Sequence, residues 1–88
     1  MEEWIEQLAE ALGEDTLSES ETVQLLAAAR DVAHRVERMI TPIATFLLGV
    51  AVGRSLAGGA SRANALEAAF DTVRSLLPAE RPDGEPAG

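Results

Sequence analysis

The hydrophobic positions of the chain fall into four helical stripes separated by three punctuation points, and one of the four, residues 41–59, is apolar on every side. Trp4, Ile5, Leu8, Ala11 and Leu12 recur at helical spacing, and Gly13 follows where a left-handed C-terminal cap belongs. Residues 15–20 read as a polar connection, and Ser18-x-x-Glu21 has the spacing of a capping box, so a second helix is expected to begin there. Its stripe runs Leu25, Ala29, Val32, Ala33, Val36, Ile40, with Asp31, Arg35 and Arg38 on the far side. Thr41-Pro42 interrupts it, because proline lacks the donor that an interior turn needs; Pro42 suits the first position of a third helix with Thr41 as its cap. That helix runs to about Ala57 before Gly58-Gly59 stops it. Ser61 caps a fourth helix, whose Leu66, Ala69, Phe70, Val73, Leu76 and Leu77 keep the period until Pro78.

A helix with no polar face must be surrounded, by its own domain, by a second copy or by lipid. The pattern therefore predicts an all-α, four-helix domain over residues 1–78, in which the third helix is the most buried element and the stripes of the other three pack upon it. Gly49, Gly53 and Ala57 are spaced by four and form a ridge without bulky side chains. Two interior glycines each cost about 0.5–1 kcal/mol relative to alanine, so Gly49 and Gly53 are expected to face another helix at close range. Ile43, Phe46, Leu47 and Val50 lie on another arc, with Arg54 among them. Residues 79–88 hold two prolines, two glycines and alternating charge, and are expected to form a disordered tail.

A chain of 88 residues is one domain with a small core, worth ~3–5 kcal/mol unless subunits associate, and it has no cysteine to staple it. A homodimer is the expected supplement. The absence of cysteine also removes thiolate metal sites, thiol nucleophiles and redox switching, and fits a cytoplasmic protein. The opening Met1-Glu2-Glu3-Trp4 is acidic where a secretory signal is basic, so export is not expected. The net charge of −8 traces entirely to residues 2–21, which hold eight acids and no base, whereas residues 22–88 balance seven acids with seven arginines. Such a chain repels phosphate, which argues against nucleic acid and anionic lipid headgroups and favours a basic partner surface. A membrane span needs about 20 apolar residues, and residues 40–60 reach that length only by including Thr41, Pro42, Thr45, Arg54 and Ser55. Insertion is not expected, and a small membrane-associated protein is an alternative reading.

No catalytic constellation emerges. Ser18, Ser20, Ser55, Ser61 and Ser75 have only His34 available as a base, and two of them read as helix caps. Gly58-Gly59-Ala60-Ser61 lacks the further glycine and lysine of a phosphate loop. His34 and Glu37, one turn apart with Asp31 a turn the other way, offer an incomplete ligand set amid three arginines, so a carboxylate–histidine metal site is a secondary reading. The candidate partner-binding surface is the polar edge of the second helix, Arg30, His34, Glu37 and Arg38, with Arg54 if it lies nearby. Arg54 itself reads either as an end-of-helix cation with a solvated head or as the partner of Glu37, Asp31 or Asp71. The chain is expected to be a non-catalytic interaction module without a cofactor.

Taken together, Glu3-Trp4-Ile5-x-x-Leu8-Ala9-x-x-Leu12-Gly13, Ala29-Arg30-Asp31-Val32-Ala33-His34-x-x-Glu37-Arg38, Pro42 with Thr45-Phe46-Leu47-x-Gly49, and Val52-Gly53-Arg54 resemble a small actinobacterial domain of uncharacterised function. That domain occurs alone or at the carboxyl end of molybdenum cofactor guanylyltransferases. The resemblance spans about Trp4 to Leu77 and implies an accessory role beside molybdenum cofactor biosynthesis or molybdoenzyme maturation. The glycine-rich nucleotide-binding part of the guanylyltransferase is lacking here, so the resemblance does not carry that activity.

Overall fold

The computed structural model describes residues 2–79, and these form four α-helices with no strand among them. They are α1 (Glu2–Leu12), α2 (Glu19–Arg35), α3 (Thr41–Ala57) and α4 (Arg62–Leu76), with a 3₁₀ turn at Arg38–Ile40 between α2 and α3. The expected disordered tail lies outside the described residues but for Ala79.

Local chemistry explains most of the boundaries. At the end of α1, Gly13 takes φ +73°, and its amide donates to the Glu10 carbonyl at 3.0 Å while the Glu14 amide donates to Ala9 at 2.8 Å. This pair of bonds is the Schellman arrangement, which satisfies carbonyls that a helix end leaves open. It repeats after α3, where Gly59 at φ +100° donates to Leu56 and Ala60 donates to Ser55, both at 3.0 Å. At the start of α2 the capping box is complete: Ser18 Oγ accepts from the Glu21 amide at 3.1 Å, and the Ser18 amide donates to Glu21 Oε1 at 2.8 Å. Ser61 caps α4 by accepting from the Asn64 amide at 3.2 Å.

The α2–α3 boundary departs from expectation. α2 ends at Arg35, Val36 and Glu37 leave helical geometry, and residues 38–40 already wind toward α3. Thr41 does not cap α3; it is helical itself, and its Oγ1 is buried without a partner. The reason lies in Pro42, which cannot donate to the Arg38 carbonyl; the Thr41 amide bonds that carbonyl instead, tightening the turn to 3₁₀. The chain therefore breaks at the extended Glu37, four residues before Thr41.

The core is made by three helices. Val52 of α3 and Ala65, Leu66 and Phe70 of α4 form a buried cluster, against which Leu25, Ala28, Leu48 and Ala69 pack. Phe70, 1% exposed, is its centre. The expectation of a buried third helix is corrected here: of the α3 side chains only Val52 is fully buried. A single arc, Ala44, Thr45, Leu48 and Val52, is turned inward, and the rest of the helix faces out. The stripe of α1 does not join the core either, since α1 packs on no other helix among the described residues. With α1 standing away, the two remaining helices, α2 and α4, cannot encircle α3. The radius of gyration, 14.2 Å against about 12 Å for a compact domain of this length, reflects the projecting arm.

Candidate functional site

The outward arc of α3 is the most unusual surface of the molecule. Steps of four and three residues from Ile43 lead to Leu47, Val50, Arg54 and Ala57, with Phe46 beside them, so these side chains line one stripe along the helix. Phe46 is 70% exposed and Leu47 62%, and Ile43 and Val50 are exposed as well. Gly49 and Gly53 border this stripe, and a Cβ built on either would meet nothing within 4 Å. The close helix contact expected at Gly49 and Gly53 is therefore not made among the described residues, where α2 and α4 both pack on the opposite arc. The outer face is a set of apolar knobs beside a shallow furrow.

A second apolar stripe stands on α1. Trp4, 60% exposed, Ile5, Leu8 and Leu12 all face solvent, and Glu2, Glu3, Glu6 and Glu10 occupy the other side of the helix. The four large side chains on each helix expose on the order of 450 Å² of apolar surface, so either stripe alone matches the largest patch of a typical monomer.

The residues proposed for the polar edge of α2 are exposed, and they cluster where α2 meets the turn. Arg30 lies 3.8 Å from Asp31 at an exposed, weak pair. His34 sits in the last turn of α2, Glu37 is the extended residue after it, and Arg38 opens the 3₁₀ turn. Arg54 does not join them. It lies in the last turn of α3, 16 positions along the same rod from Arg38, about 24 Å away at 1.5 Å per residue. A Glu37–Arg54 pair is thereby ruled out by the fold, and Asp31 and Asp71 are engaged by Arg30 and Arg74 respectively. Among the described residues Arg54 has no acid within ion-pair distance.

The strongest polar feature is one that sequence reasoning missed. Arg62, the first residue of α4, reaches across to α2 and donates from Nε to Glu21 Oε2 at 3.0 Å and from Nη2 to Glu21 Oε1 at 2.8 Å. The same Nη2 donates to the Thr16 carbonyl at 3.2 Å. Glu21 thus serves the capping box and a two-pronged arginine at once. The bond from the Ser18 amide, seconded by the Arg62 guanidinium, holds the Glu21 carboxyl below its ordinary value. Glu21 could be recognised as a capping residue from spacing, but the nearness of the amino ends of α2 and α4 has no sequence signal.

An apolar cleft between α2, α3 and α4, lined by Leu25, Ala28, Val32, Leu48 and Val73, has about 10 Å³ of room, no more than one water needs. No group of three or more His, Asp or Glu side chains placed to hold a metal ion occurs among the described residues. The 20-residue run Arg38–Ala57 contains an 18-residue window of mean hydropathy 1.6, with 6% of it buried, and by length and composition alone it is long and apolar enough to cross a membrane.

Residues 1–85 match the model of a protein family described as "Domain of unknown function (DUF6457)". No curated protein and no solved structure matches the chain.

Proposed function

Since the chain belongs to the DUF6457 family, whose description assigns no function, its role is read from its own surface, and we propose a non-catalytic helical interaction module that works as a cytoplasmic homodimer. The observation that carries this reading is the uncovered apolar face of α3, Ile43, Phe46, Leu47 and Val50, on a domain whose own core is centred on five buried side chains. Burial of that face against protein supplies stabilisation that a small core lacks. The finer reading, a place beside a molybdenum cofactor guanylyltransferase or a molybdoenzyme maturation protein, is supported by the resemblance of the sequence pattern. There the exposed group Arg30, His34, Glu37 and Arg38 is the candidate partner-binding edge.

The length and hydropathy of Arg38–Ala57 favour a second reading, a membrane-associated helix. Against it, the inner arc of α3 is engaged by α2 and α4, which bear charged outer faces, and Arg54 stands on the stripe that lipid would cover. Sedimentation over a concentration series and flotation with phosphatidylcholine vesicles separate the two. The proposal expects a dimer mass and no flotation; a monomer at every concentration, or flotation, overturns it. For the partner edge, Arg30→Ala with Arg38→Ala is expected to leave the melting temperature unchanged and to abolish capture of molybdenum cofactor proteins from a host extract. Capture unaffected by both changes refutes that edge, and an extract yielding no such protein refutes the molybdenum assignment.

A further inference from the structure

Building on the homodimer proposed above, we infer that the dimer forms by reciprocal exchange of α1: the apolar stripe of α1 from one copy lies along the outer face of α3 of the other, and the second pair repeats the contact by twofold symmetry.

Three observations converge on a second copy as the occupant of the α3 face. The first is area. Two α3 faces meeting each other alone would bury roughly 900 Å², short of the ~1,200–2,000 Å² of a stable interface, whereas two α1 stripes laid on two α3 faces bury roughly twice as much. Exchange also covers Trp4, Ile5, Leu8 and Leu12, which otherwise remain in water.

The second observation is charge. Residues 2–15 carry six acids and no base, whereas residues 16–79 balance six acids with six arginines, so an acidic arm is attached to a body of no formal charge. Arg54 stands on the α3 face near its carboxyl end, and the 11 residues of α1 make a rod of about 16 Å, shorter than the 17 residues of α3. A rod of that length fits along the α3 face. Its acids lie on the side away from the stripe, so those at its ends, Glu2 and Glu3 at one and Glu14 beyond the Gly13 cap at the other, are the ones left to meet an arginine that projects past the end of the rod. This gives Arg54, which lacks an acid in its own chain among the described residues, a partner in the next.

The third is the tether. α1 is closed by the Gly13 cap, and Thr16 is held by Arg62, so only Gly13, Glu14 and Asp15 separate the arm from a fixed point. Three residues span at most about 10 Å, and the outer face of α3 is turned away from α2 and α4 by the thickness of a helix, about 10 Å. So short a tether keeps the arm near the amino ends of α2 and α4, where it packs on no helix of its own chain among the described residues.

The chain has no cysteine, which makes the test direct. Leu8→Cys and Leu47→Cys are prepared separately, their helical spectra are checked against the unaltered chain, and the two are mixed and oxidised. Exchange predicts a mixed disulfide between the two variants in large excess over either homodisulfide. In the unaltered chain Trp4, the only tryptophan, is expected to shift its emission to the blue as concentration rises through the dimer transition. Homodisulfides of Leu47→Cys without mixed species, from a protein that still sediments as a dimer, overturn the exchange and leave the dimer standing. A blue Trp4 emission independent of concentration assigns the contact to a single chain and overturns it too. Absence of any dimer removes the reading on which it rests.

Discussion

Phe46 and Phe70 are the two phenylalanines of the chain, and their surroundings are opposite, which makes Phe46→Ser an informative perturbation. Phe46 is 70% exposed in the single chain, so its truncation removes almost no intramolecular burial, and the folding stability of the monomer should move by no more than about 0.5 kcal/mol. In a dimer that covers the α3 face, each ring recovers about 1.5–3 kcal/mol of burial. Twofold symmetry places the change twice in every dimer, so the loss is about 3–6 kcal/mol, a weakening of roughly two to four orders of magnitude. Analytical ultracentrifugation over a concentration series measures the dissociation constant, and circular dichroism melts at monomeric dilution measure the fold. A dissociation constant unchanged within about threefold would refute the role of this face. So would a melting temperature that falls at monomeric dilution, since Phe46 would then be buried within its own chain.

Phe70→Ala is expected to cost about 3–5 kcal/mol, comparable to the whole stability of the domain, and to leave a chain unfolded or nearly so by urea titration; a two-state melt near that of the unaltered chain would place the core elsewhere. At Gly53, where an added Cβ meets nothing, Gly53→Ala should stabilise the monomer by about 0.5–1 kcal/mol in dilute thermal melts, and a loss of stability there would reveal a neighbour. Glu21 has a lowered folded pKa, so its stabilisation is complete above the unfolded value and is lost as pH falls through the folded one. Melting temperature should therefore drop on acidification through and below the ordinary glutamate range, and Glu21→Gln should flatten that limb. Parallel pH profiles for the two proteins would refute the assignment.

What could be read from residue pattern was mostly local. Ser18 with Glu21, Gly13, Gly59 and Ser61 act within four or five residues of themselves, and each ends or begins a helix where its chemistry requires. The number and order of the helices followed from these signals. The surroundings of α3 did not, because an all-round apolar helix states that it must be covered without naming what covers it. Packing on α2 and α4 engages one arc, and the remainder, Gly49 and Gly53 included, is left for something outside the described chain. Arg54 and Glu37 illustrate the same limit. Both border apolar stripes in sequence, yet one stands at the far end of α3 and the other at its near end. The Arg62–Glu21 pair was invisible for the converse reason, since it joins positions 41 residues apart whose meeting depends on how α2 and α4 are set side by side.

That arrangement has a kinetic consequence. All four members of the buried cluster lie on α3 and α4, which are joined by only the short segment 58–61, so a helical hairpin with most of the core is assembled from contacts near in sequence. Closing so short a loop costs little entropy, and the hairpin is the natural folding nucleus. α2 must cross a much longer separation before Glu21 can meet Arg62, and that clasp should close after the rate-limiting barrier. Truncations at Leu66 or Phe70 would then slow folding, whereas Arg62→Ala would leave the folding rate nearly untouched and accelerate unfolding. The clasp thus acts as a latch on a preassembled hairpin, setting how long the folded chain lasts rather than how quickly it forms.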